Sequence, residues 1–229
     1  MQRIALILVL LLALPSALEA DCATARLELG AAIATGTRLP IGAPIVAIPE
    51  NDWNVPQARV ARELVGPRRI ALTERQIAPD VTALVPSSPP PPGVYQVVGL
   101  REALSVEYTA TQMPAALAAP ELRSASFASL GFDRHAGERF AATAALASMA
   151  PSGAVLVLAR WWSSGRQAGA SFARVTAGSA TQTIFQSAEG CGELPGTVVA
   201  PVPGASVDVA WVDVVGRVSP WSARVAIRR

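Results

Sequence analysis

Beyond residue 20 the chain carries no apolar repeat of helical period sustained over three turns. Short β-branched runs bounded by proline and glycine recur instead at close spacing, which is the pattern of half-buried strands. In the first half these runs predict strands at Ile45–Ile48, Ala58–Val65, Arg69–Thr73, Val81–Val85, Val94–Leu100 and Leu104–Thr109. Between them lie turn sequences such as Pro49-Glu50-Asn51-Asp52, Gly66-Pro67 and Ala78-Pro79-Asp80. A helix over Pro56–Val65 competes with the strand read there. Met113–Pro120 lacks alternation and is bracketed by prolines, which predicts a linker at 113–121. A second series follows at Leu122–Phe132, Phe140–Ala147, Ala154–Trp162, Ser171–Thr176, Thr181–Gln186, Ser206–Val215 and Arg224–Arg228.

The N-terminus has the opposite pattern. Arg3 precedes an unbroken apolar run, Ile4–Leu14, and small residues lead up to Asp21. That arrangement predicts a secretory signal over residues 1–20. The run is well short of the ~20 residues that span a bilayer, so cleavage is expected rather than a permanent anchor. The mature chain would then work in the periplasm, at the cell surface or in the medium, as two sandwiches over residues 21–112 and 122–229.

Charge removes some function classes. All 19 basic residues are arginine, acidic residues alternate with them, and the net charge is only +2. No basic run of the kind nucleic-acid binding needs is visible. Arg68-Arg69 and Arg228-Arg229 are the adjacent pairs, read as solvated ends or turns. The two cysteines, Cys22 and Cys191, would enter an oxidising compartment as an even pair, which predicts one disulfide. It would close most of the mature chain, worth about 5 kcal/mol in the chain-entropy account. Two free thiols open to intermolecular pairing are the alternative.

Familiar chemistries find no foothold. The single histidine, His135, stands between Asp133 and Glu138, but one imidazole without cysteines at ligand spacing does not make a zinc site. No Gly-x-Ser-x-Gly elbow accompanies it, and phosphate-cradling glycine motifs are missing from a chain without lysine. No catalytic residue, metal or cofactor is assigned. A carboxylate-only hydrolase survives as the least favoured alternative. Pro89–Pro92 reads as a stiff loop into Val94–Val98, with a docking peptide for a proline-recognising partner as the other reading. Tryptophans carry more information. Successive strand residues face opposite ways, so Trp161 joins Val155, Val157 and Ala159 on a core face, whereas Trp162 shares its face with Leu156, Leu158 and Arg160. Trp53, Trp162 and Trp221 are the candidate contacts to a protein or polysaccharide partner.

Two segments resemble known families. Gly93-Val94-Tyr95 after the prolines is similar to the entry of a late strand in immunoglobulin-like domains. Val209-Ala210-Trp211-Val212-Asp213-Val214-Val215-Gly216-Arg217-Val218-Ser219-Pro220-Trp221-Ser222 resembles the last hairpin of a fibronectin type III domain, without the tyrosine usual earlier in its penultimate strand. The resemblance implies an all-β protein of two tandem immunoglobulin-like or fibronectin type III-like sandwiches and an adhesive, spacer or ligand-binding role. The expected function is therefore a non-enzymatic interaction or structural module of the cell envelope or exterior, with a carbohydrate-binding module built on the tryptophans as the alternative.

Overall fold

The structure, a computed structural model, describes residues 26–52, 61–133, 137–186 and 205–228. Its described residues hold strands and turns and no helix. The first half contributes β1 (Arg26–Ala31), β2 (Thr37–Pro40), β3 (Ile45–Asp52), β4 (Glu63–Val65), β5 (Ile70–Ala78), β6 (Val81–Pro86), β7 (Gly93–Val98) and β8 (Leu104–Thr109). They form one curled sheet in the order β1-β3-β6-β5-β4-β7-β8-β2, antiparallel except where β2 lies parallel to β8. The second half supplies β9 (Leu122–Asp133), β10 (Gly137–Leu146), β11 (Ala154–Ser163), β12 (Arg166–Arg174), β13 (Thr181–Gln186), β14 (Ser206–Asp213) and β15 (Val225–Arg228). Their order is β12-β11-β14-β15-β9-β10-β13, with β15 parallel to β9. The end strands of this sheet meet, since Ser171 on β12 donates to the Ile184 carbonyl on β13 at 2.6 Å. Each sheet thus folds over on itself around its own core, consistent with a β-sandwich.

Alternation decides which side chains fill those cores. On β8, Leu104, Val106 and Tyr108 are buried while Ser105, Glu107 and Thr109 reach outward. Tyr95 and Tyr108 meet edge to face at 5.7 Å and are fully buried. Each phenol is satisfied by a backbone carbonyl, Tyr95 by Pro91 at 3.1 Å and Tyr108 by Ala43 at 3.0 Å. The proline run is held to the first sheet by that bond and by the burial of Pro90.

Most expected strands form, with instructive departures. β1 and β2 were not expected; both are short, and they occupy the two ends of the first sheet. In the segment that allowed a helix, Glu63–Val65 is a strand, and residues 53–60 lie outside the described ones. Residues 110–121 contain no regular element. They are nonetheless tied down: the Arg217 guanidinium donates to the carbonyls of Pro114 and Ala115, and Leu117 packs on the second core.

β11 and β14 are covered on both faces, which explains why apolar residues occupy both parities of their sequences. Inward, Val157, Ala159 and Trp161 pack with Val207, Val209 and Trp211. Outward, Leu156, Leu158 and Val212 pack against Val46, Ile48 and Val81 of the first half. Val155 departs from the expected face. The register with β14 shifts between Ala154 and Leu156, so Ala154 turns to the second core and Val155 packs toward the first half. Gly216, at φ 74° in the left-handed region, lets the Asp213–Arg217 turn approach the first half so closely that a Cβ placed there would lie 3.4 Å from Pro44.

Candidate functional site

The same outer row that binds the two halves together changes character toward the far end of β11. Leu156 and Leu158 give way to Arg160 and Trp162, and the partner residues on β14 are Asp208 and Ser206. Arg160 and Asp208 are directly opposite, so a planar guanidinium faces a carboxylate across one strand spacing. Nε donates to Oδ1 at 2.9 Å and Nη2 to Oδ2 at 2.7 Å. Asp208 is only 4% exposed, which makes the arginine its necessary counter-charge.

Trp221 reaches this row because of the serines around it. Ser219 and Ser222 pair with β14 through their backbone amides, bonded to the carbonyls of Trp211 and Val209. Their hydroxyls accept from the amides of the same two residues, at 2.9 and 3.0 Å. The Ser-Pro-Trp-Ser step is thereby sewn along β14, and Trp221 packs into the apolar cluster between the halves. The Arg160 guanidinium lies 3.8 Å from the Trp221 ring centroid and 5.4 Å from that of Trp162, while Arg224 lies 3.6 Å from Trp162. The contacts run Trp221, Arg160, Trp162, Arg224, each stack worth about 0.5–1 kcal/mol where water reaches it. The Trp162 indole nitrogen is buried without a hydrogen-bond partner among the described residues.

Of the residues singled out in the sequence, the structure brings Trp162 and Trp221 together through Arg160. Trp161 is buried in the second core, 3% exposed, donating to the Ser171 hydroxyl at 2.9 Å and meeting Phe185 edge-on. Trp53, Cys22, Cys191 and His135 lie outside the described residues. Sequence reasoning missed Arg160, Asp208 and Arg224 as members of the cluster. The available signal was the polar break in an apolar run at Arg160 and a lone acid at Asp208 in a second such run.

A second concave feature lies between the halves. A cleft of about 950 Å³ is walled by small apolar residues from both, including Ala32, Ile33, Ala154 and Val155. Glu50 on β3 lies at its edge, paired with Arg174 on β12 and, at 3.7 Å, with Arg101. The described residues contain no grouping of histidine, cysteine and carboxylates suited to a metal ion, and no helix among them is long and apolar enough to cross a membrane. Comparison of the chain with family models and with curated proteins finds no match.

Proposed function

We propose that this is an exported, non-enzymatic protein of two tandem immunoglobulin-like or fibronectin type III-like sandwiches, acting as a rigid interaction or structural module in the cell envelope or outside it. The observation that carries the reading is the way the halves are joined. An apolar cluster, the Glu50–Arg174 ion pair and the Arg217 bonds to the linker fix one sandwich against the other, as suits a part that presents surfaces in a set geometry. The finer family assignment is supported by one parallel strand pair in each otherwise antiparallel sheet, β2 with β8 and β15 with β9. The Tyr95 bond to the backbone four residues upstream supports it too, matching the corner tyrosine of immunoglobulin-like sandwiches.

Export is tested by recovering the protein from an extracytoplasmic fraction and determining its N-terminus and its cysteine state. A chain beginning near Asp21, with Cys22 and Cys191 joined in one peptide after non-reducing digestion, is expected. An intact Met1 on a cytoplasmic product overturns the proposal. The module role is tested by photo-crosslinking from Val94, which is exposed on the first sandwich. A discrete envelope adduct is expected, and turnover of a glycoside panel by the pure protein would favour the hydrolase alternative instead.

A further inference from the structure

Resting on the reading of the chain as an interaction module, the arginine-bearing outer face of the second sandwich identifies a partner class. Trp162 is opposite Ser206, and Ser206 is opposite Ala226. By strand alternation, Arg160 and Trp162, Ser206 and Asp208, and Ala226 and Arg228 therefore share one face. Arg224 is fixed on that face by its stack on Trp162. Three arginines meet a single acid, and that acid is already engaged by Arg160. Arg224 and Arg228 are exposed, and their guanidinium groups make no ion pair or hydrogen bond among the described residues. Their donors are planar forks matched to carboxylate geometry, and Arg224 is held in place by the indole, which lowers the ordering cost of binding.

We propose that this face binds an acidic polysaccharide through its uronate carboxylates, Arg224 and Arg228 each taking one. Arg228 ends β15 and Arg224 immediately precedes it; four extended residues span about 13 Å, a spacing suited to a linear chain with repeating charges. β15 has neighbours on both edges, β14 and β9, so an acidic peptide finds no free strand edge to extend. What the face offers is a row of side chains on a closed sheet, which fits a ligand that brings its own stiff backbone. The guanidinium stacks on Trp162 and Trp221 direct recognition to charge rather than to sugar rings lying on the indoles.

The test is calorimetric titration of the purified mature protein with polygalacturonate fragments. Saturable binding is expected, weakening with salt as exposed charges are screened and falling about tenfold or more in Arg224→Glu/Arg228→Glu. Arg69→Glu on the first sandwich should bind like the wild type. The fully methyl-esterified polymer, which lacks the carboxylates, should not bind. Arg224→Gln/Arg228→Gln repeats the comparison should the reversal disturb folding, with the unfolding midpoint as the check. Absence of saturable binding, or wild-type affinity in both double variants, overturns the proposal. Binding of polyglutamate as tight as polygalacturonate overturns it as well, reassigning the face to acidic peptides. None of these outcomes touches the export reading, which the N-terminus and cysteine state decide separately.

Discussion

Replacing Arg160 by alanine should be among the most damaging single changes on the surface of the second half. The substitution strips two charge-assisted hydrogen bonds from Asp208, whose side chain is 6% exposed, and removes the cation from between Trp221 and Trp162. Breaking a buried pair by removing one partner costs about 3–5 kcal/mol, chiefly because the other charge is left uncompensated. The Arg160 side chain is 28% exposed, which places the expectation at the lower end, about 3 kcal/mol. Asp208→Ala should cost less, about 1–2 kcal/mol, because Arg160 keeps its stacks and a wet edge. Arg160→Leu/Asp208→Leu removes both charges and should lie within about 1–2 kcal/mol of the wild type. Urea unfolding followed by tryptophan fluorescence reads this domain well, since four of the five tryptophans belong to it. A cost below about 1 kcal/mol for Arg160→Ala would class the contact with ordinary surface pairs, and a double variant no better than Arg160→Ala would refute the buried-charge argument.

Three further outcomes follow from the packing. Trp161→Ala should cost about 3–5 kcal/mol by the same measurement and Trp162→Ala clearly less, because only Trp161 fills the core. Burial pushes the Tyr108 phenol above its ordinary value, with Tyr95 adding to the shift. A raised acid leaves stability flat below about pH 10 and lowers it above, as the unfolded chain ionises first, by about 1.4 kcal/mol per pH unit. Thermal melts of wild type and Tyr108→Phe across that range should show the slope shrinking in the variant. Gly216→Ala should cost about 1 kcal/mol for its left-handed backbone, and Gly216→Val more, as its branches meet Pro44 and Val46; faster amide exchange at Val46 and Leu156 would locate the damage at the junction.

The strands of the second half were legible because each carries its own local signal of β-branched residues between turn formers. β1 and β2 were not. Arg26–Ala31 mixes charge, leucine and glycine, and its strand character comes from pairing with β3, a partner twenty residues away in register. The Val155 misassignment has a comparable origin, since a one-residue bulge reverses the faces of everything beyond it and leaves no mark in composition. Gln182 is another case: a polar residue is fully buried because its amide closes the turn before it, bonding Thr176 and Ser179. Trp162 and Trp221 were legible as candidates from residue type alone. That they share a cluster with Arg160, Asp208 and Arg224 depends on which strands become neighbours, which spacing along the chain does not encode.

The division of labour along β11 links the fold to the proposed role. Its outer row begins with Leu156 and Leu158, buried against the first half, and ends with Arg160 and Trp162 beside solvent. An apolar row continued to the end would leave an exposed sticky face; a charged row throughout would give the halves nothing to share. Arg160 makes the transition workable, since its paired head satisfies Asp208 while the guanidinium plane covers Trp221, itself part of the junction cluster. The arginine face is therefore joined through one continuous set of contacts to the surface that packs on the first half. A ligand held by Arg224 and Arg228 would be presented at a fixed angle to both halves, and that coupling of site to junction is what the proposed tandem arrangement would offer over one half alone.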